Sequence, residues 1–336
     1  MIPRSRTAYA AARRSTLTGL VASFLDGFTL KKAISFKGLH VFPVCLIGSA
    51  AGGEKEIMSL DEGLGSGRAA VMETGEMDRV TIRNAGHAPV LIMDGETVLG
   101  GAQNRIMNTT TVVQPGERAE LPASCAEVNR WEAKPGVDLP AKCRNFTRSD
   151  MVFAGLRHQR MEEMIRSIRD GNRAAVDQNQ VWRTIVQRFG VSGAKTRTLD
   201  LHDLYDFWFS ALKVYSDRFH LVGGQAGMIS FLDRRTWFAD IFSSRDMLMK
   251  QYKKVIKGLA FDALIRLEMG VQLTASQTPG IDAARAALRA IKVSREEKTP
   301  DGGNRYFESP VCIGFAAVAA GEVIYLTACS REFRLF

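Results

Sequence analysis

AAVMETGEMDRVTIRNAGHAPVLIMDGETVLGGAQNRIMNTTTVVQPGERAELPASCAEVNRW, residues 69–131, is the stretch from which the fold is read. Strand-forming runs follow one another closely: AAVMET (69–74), RVTIRN (79–84), PVLIMD (89–94), TTTVVQ (109–114) and RAELPA (118–123). Turn residues separate them at Gly75, Asn84-Ala85-Gly86, Asp94-Gly95 and Pro115-Gly116. Alternation of apolar and polar residues is visible in Val80-Thr81-Ile82-Arg83 and across 109–113. This spacing predicts an antiparallel, hairpin-rich sheet or sandwich. A hairpin over 109–122 would bring residues 103–105 to the same sheet edge as 125–131.

Those two edges are polar clusters. The first holds Glu96, Gly100, Gly101, Gln103, Asn104 and Arg105; the second holds Cys125, Glu127, Asn129, Arg130 and Trp131. Arg105 and Arg130 suit bidentate recognition of a phosphate or carboxylate. Gln103 and Asn104 supply donors and acceptors for hydroxyls or an amide. Glu96 and Glu127 are the candidate acid–base pair, and carboxylates of this kind also accept ribose hydroxyls or hold a divalent ion. Trp131 offers a stacking plane. The competing reading is an internal Arg–Glu network that fixes two loops.

The strings GETVLGGAQNRIMNTT and LPASCAEVNRW resemble the ARG and rhodanese-phosphatase-superfamily-associated protein domain family. Gly95, Glu96, Gly100, Gln103, Asn104 and Arg105 match its first motif. Pro122, Cys125, Glu127, Arg130 and Trp131 match its second, with Asn129 where the family usually has Gly. Asn also tolerates positive φ, so the departure is mild. Asp240, Phe242 and Ser243 match a further segment of the family. The resemblance implies a link to nucleotide or ADP-ribose (NAD-related) metabolism, and a hydrolase if the protein is an enzyme. Its ligand-binding set would be Gln103, Asn104, Arg105, Cys125, Arg130, Trp131 and Asp240, with no metal site assigned and cofactors unknown.

Cys125 is also weighed as a nucleophile. A phosphatase loop needs Cys-x5-Arg, so that backbone amides and the Arg ring a phosphate. Here Cys125-AEVN-Arg130 is one residue short, and Glu127 inside it would repel the phosphate. The thiol therefore reads as a packing residue under Trp131. The chain has only 5 His and no CxxC pair, which argues against a zinc site but not against an oxygen-ligated metal. An i, i+4 pair, His202 with Asp206, reads as a surface pair.

Working outward, residues 1–16 are basic, free of acids and read as a flexible arm. Residues 38–47 read as a buried strand interrupted by Pro43. Ser59-Leu60-Asp61-Glu62 is a capping box for a short helix. Residues 63–69, GLGSGRA, lack phosphate-loop spacing and read as a helix stop. Residues 132–150 form a Pro/Gly-containing linker. Beyond it, helical periodicity runs through Met161, Met164, Ile165 and Ile168, then through Val181, Ile185, Val186 and Phe189. A third helix is expected from Thr198 to near His220. A hairpin over 228–242 follows, then a long helix capped by Ser244 to about Glu268, a helix after Gly280, and a closing hairpin over 311–329. Asp240 lies among apolar neighbours and needs a partner.

The fold class is thus α+β: an antiparallel β-rich N-terminal half, with helices interleaved with two β-hairpins in the C-terminal half. We expect one domain over 17–336 with two lobes, about 36–131 and about 149–336, the late hairpins completing a shared sheet. At 336 residues and 46% hydrophobic content the chain can bury a sizeable core. Its net charge of +9 is dispersed among acids outside the arm, so no nucleic-acid partner is expected. No run of eighteen apolar residues occurs, so no membrane span is expected. Five widely spaced cysteines read as free thiols in a reducing cytoplasm. Two functions follow from the residues: a nucleotide or sugar-phosphate ligand site built from both clusters, or a non-catalytic structural or protein-interaction module with the clusters as internal scaffold. Protein partners are unknown at this stage.

Overall fold

The computed structural model describes residues 16–48, 56–129, 146, 149–171, 175–271, 278–298 and 304–333. Residues 1–15 of the arm, Arg130, Trp131, Cys143 and most of the 132–150 linker, for which the sequence sets expectations, lie outside the described residues. In chain order the N-terminal elements are α1 (Leu17–Asp26), β1 (Phe28–Leu30), β2 (Ile34–Phe36), β3 (Leu39–Leu46), β4 (Met58–Ser59), α2 (Leu60–Gly65), β5 (Ala69–Glu73), β6 (Arg79–Asn84), β7 (Val90–Ile92), β8 (Glu96–Val98), β9 (Arg105–Met107), β10 (Thr111–Val113) and β11 (Arg118–Cys125). The C-terminal elements are β12 (Ser149–Met151), α3 (Ala154–Arg169), α4 (Gln178–Ser192), α5 (Leu201–Phe207), α6 (Phe209–Arg218), β13 (Gln225–Phe231), β14 (Trp237–Phe242), α7 (Arg245–Glu268), α8 (Ile281–Ala290), β15 (Arg295–Lys298), β16 (Asn304–Glu308), β17 (Cys312–Ala319) and β18 (Glu322–Ser330). The fold is α+β with a β-rich N-terminal half.

The strands form three sheets. The largest runs β1-β3-β13-β14-β18-β17-β16-β15, with β2 also on β3. Its pairs are all antiparallel, and it joins β3 from the first half of the chain to both late hairpins. Pro43 sits inside β3 without harm. Its carbonyl accepts from Lys31 N, in the break between β1 and β2, so the side lacking an N–H faces that break. A six-stranded sheet runs β12-β8-β9-β11-β6-β5, and a three-stranded one runs β10-β7-β4, in which β4 and β7 are parallel.

The large sheet is buried on both faces, which is why β13 and β14 are buried at every residue. On one face Ala239 and Ile241 pack with Leu17 and Val21 of α1 and Ala284 and Ala287 of α8. On the other, Phe238 and Phe242 join the main core with Met161, Met164, Leu248, Val255 and Phe261 of α3 and α7. Period-2 alternation puts Asp240 on this second face, with Tyr325 and Thr327 of β18 beside it.

Several local expectations hold. Ser59 forms the capping box with Glu62. Gly67 (φ 69°) turns the chain after α2. Ser244 accepts from Met247 N at the start of α7, which spans 24 residues. Others need correction. The third helix is capped by Asp200, not Thr198, and breaks at Trp208 into α5 and α6. The run after Thr16 is a helix packed on the large sheet. Strands β8 and β9 run through the first polar cluster, which the sequence reading places at a strand end.

Helix α7 approaches β12 closely at Gly258. A Cβ there would lie 2.6 Å from the carbonyl oxygen of Val152. Gly258→Ala gains about 1 kcal/mol of helix propensity but must push a backbone atom away. Overpacking of this kind costs about 1–3 kcal/mol. We therefore expect the variant to melt below the parent in a thermal denaturation, and a higher midpoint would contradict the packing described.

At the C-terminal end of the large sheet, His158 of α3 is buried and stacks on Phe333, with ring centroids 5.3 Å apart. Burial pushes the imidazole down from 6.5 to about 4. Between these values the unfolded chain binds a proton that the folded chain refuses. Stability should therefore fall as pH drops from about 6.5 toward 4, by up to about 3 kcal/mol. Urea midpoints measured across that window should show a shallower acid slope in His158→Gln, and an unchanged slope would refute the assignment.

Candidate functional site

The two polar clusters meet through β9 and β11, which pair with Cys125 opposite Arg105. Arg105 is buried, and its guanidinium is fully engaged. Nε donates to Glu73 Oε1 at 3.2 Å and Nη2 to Glu73 Oε2 at 2.6 Å. Nη1 donates to the carbonyl of Met77 at 2.7 Å and lies 3.0 Å from Cys125 Sγ. This bidentate fork commits Nε and one N–H of Nη2 to Glu73. Cys125 is fully buried. Burial pushes its thiol up to about 11, against the opposing pull of Arg105, so it is protonated at neutral pH. Gln178 of α4 clamps its backbone, accepting from Cys125 N at 2.7 Å and donating to its carbonyl at 3.1 Å.

The candidate carboxylates are held by different partners. Glu96 is fully buried on β8; it accepts from Met93 N at 2.8 Å and pairs with Lys254 of α7. Lys254 also reaches Asp61 at 2.9 Å. Burial pushes Glu96 up, and Lys254 opposes this. Glu127 accepts from Asn104 N at 3.2 Å, and its residue forms a bridge to Asp200. Asn104 donates to Asp200 Oδ2 at 2.7 Å and accepts from Gly100 N at 2.9 Å. Gln103 differs from its neighbours: it is 1% exposed, and neither amide atom has a hydrogen-bond partner among the described residues.

Asp240 belongs to a second set of charges that sequence reasoning missed. Arg157 of α3 grips it with both terminal nitrogens, at 3.2 and 2.9 Å, and Tyr325 donates to it at 2.5 Å. Arg157 Nη2 also donates to Thr327 Oγ1 at 3.1 Å. One turn along, Arg160 pairs with Asp94 and donates to Asn108 Oδ1 at 2.8 Å. All four charges are buried. Gly95 follows Asp94 at φ 86°, and a Cβ on it would lie 2.6 Å from Arg157 Cγ, so only glycine fits between the two pairs. The signal was in the sequence: Arg157 and Arg160 occupy the same helical stripe as Met161 and Met164.

Together these pairs pin β8, β9 and the turn before them to α3, α7 and the large sheet. Four pockets on the described surface are lined by other residues, with none of Glu96, Gln103, Arg105, Cys125, Glu127 or Asp240 in their walls. Among the described residues no group of three or more His, Cys, Asp or Glu is placed to hold a metal ion. No described helix is long and apolar enough to cross a membrane.

Residues 27–329 match the family model described as ARG and Rhodanese-Phosphatase-superfamily-associated Protein domain. The chain belongs to that family. No curated protein and no solved structure matches it.

Proposed function

We propose that this domain is a non-catalytic companion module, with its two polar clusters as an internal scaffold and its work done through a protein partner. One observation carries the reading: Glu96, Arg105, Glu127 and Asp240 are all buried and hydrogen-bonded to groups of the same chain. A buried charge with its own partner has nothing left to offer a ligand, and pulling it away would cost the desolvation it now avoids. The family description names an association with ARG and rhodanese-phosphatase proteins, and partners from ADP-ribosyl or phosphoryl chemistry are the class proposed. A cytoplasmic location goes with this reading.

A second reading keeps one observation in its favour. The unpartnered amide of Gln103 suits a hydroxyl or amide of an ADP-ribose or nucleotide ligand, with Arg130 and Trp131 as the further contacts and hydrolysis as the reaction class. A thermal-shift panel of ADP-ribose, NAD, AMP, ADP and sugar phosphates, with and without Mg²⁺, separates the two. Ligand at about 100 times Kd stabilises by roughly 2.7 kcal/mol. The scaffold reading predicts no shift for any of them. A shift for one nucleotide that Arg130→Ala abolishes, in a variant that still folds, would replace it with the ligand reading.

A further inference from the structure

We propose that the pocket between the end of α6 and the middle of α7 binds a small monocarboxylate with an apolar body. The pocket has a volume of about 250 Å³. Phe219, Met249 and Ile256 supply apolar wall, and Tyr252, His220 and Lys253 supply the polar groups. No carboxylate lines it.

Three features of these groups point to a ligand. Tyr252 is 5% exposed, and its hydroxyl has no hydrogen-bond partner among the described residues. An unpaired buried hydroxyl is a standing cost that a bound acceptor would remove. Burial pushes this phenol up to about 12, so it stays protonated and acts as a donor. Lys253 and His220 are exposed beside it, and neither makes an ion pair or side-chain hydrogen bond among the described residues. Met249 is 49% exposed at the mouth, as an apolar wall awaiting cover would be.

Charge and size narrow the class. One lysine beside a donor hydroxyl matches a single negative charge, not a phosphate dianion. At roughly 30 Å³ per water the volume equals about eight waters, which suits an ion of benzoate size and is too small to enclose a dinucleotide. The carboxylate would take the phenol hydrogen bond and the lysine charge, and the ring or branched chain would cover the apolar wall.

Calorimetric titration of the full chain at pH 7 with benzoate tests this. Benzamide serves as the neutral isostere, and inorganic phosphate as an anion without an apolar body. Benzoate should bind at least about tenfold more tightly than benzamide, and phosphate should give no saturable heat. Tyr252→Phe and Lys253→Gln should each weaken benzoate by about tenfold. Tyr252→Phe should melt at or above the parent, because it deletes an unpaired hydroxyl and keeps the ring, so its loss of binding cannot be blamed on misfolding. Equal affinity for benzamide, no heat with benzoate at about 20 mM, or undiminished binding by Tyr252→Phe would each overturn the proposal.

Discussion

Arg157→Met is expected to lower the free energy of unfolding by about 3–5 kcal/mol, the usual effect of removing one partner from a buried ion pair. Asp240 would keep only the Tyr325 hydroxyl as a side-chain donor, at full burial among Phe238, Phe242 and the strands of the large sheet. The loss comes from the stranded carboxylate more than from the missing attraction. The double variant Arg157→Met/Asp240→Leu should therefore recover most of the loss, because apolar replacement of both partners of such a pair is often neutral. Urea unfolding checks both claims, through midpoints at an unchanged slope. A single-variant loss under about 1 kcal/mol would mean that Asp240 relaxes toward water instead of staying buried.

Lys254→Met should be comparably severe, again about 3–5 kcal/mol, for the mirror-image reason. It removes the cation paired with Glu96, which stays fully buried and still accepts from Met93 N. Burial already pushes this carboxyl up, and Lys254 is the principal force holding it down. Without the lysine, the folded protein should take the proton that the unfolded chain releases above about 4.5. The sign follows: the variant's deficit relative to the parent should shrink as pH falls toward 4.5 and widen as pH rises. Glu96→Gln in the Lys254→Met background should restore stability at pH 7. A deficit that is independent of pH would show that packing, not the stranded charge, is what the lysine provides.

These two helices show where sequence reading reaches and where it stops. Helix α7 was legible from Ser244 to Glu268, because a capping serine and a long apolar periodicity are local signals. The hairpin over β13 and β14 was legible for the same reason. Residues 105 and 125 do meet, but not through the expected hairpin over 109–122: β10 pairs with β7 in another sheet, and β9 pairs with β11 directly. What could not be read was partner choice. Nothing local says that Arg105 takes Glu73, that Glu96 takes Lys254 158 residues away, or that Asp240 takes Arg157. Those pairings arise when the small sheets close on α3 and α7. Arg157 and Arg160 are cations on an apolar stripe whose sequence reading rests on Met161, Met164, Ile165 and Ile168. Strands β8 and β9 were hidden because each is three residues long, too short to carry a periodicity.

The candidate residues were chosen for their chemistry, and most of that chemistry turned inward. A bidentate arginine, a buried carboxylate and an amide beside glycine describe a phosphate site and an internal clamp equally well when seen as a string. Burial and committed partners are what separate them. Arg105 has both.

A double-mutant cycle on Arg105 and Glu73 tests the scaffold directly, using Arg105→Met, Glu73→Gln and the pair together. The account predicts that each single variant is clearly destabilised, with a coupling of about 1–3 kcal/mol between the two positions. A coupling near zero, with Arg105→Met unfolding at the parent's midpoint, would contradict it and leave Arg105 free for a ligand.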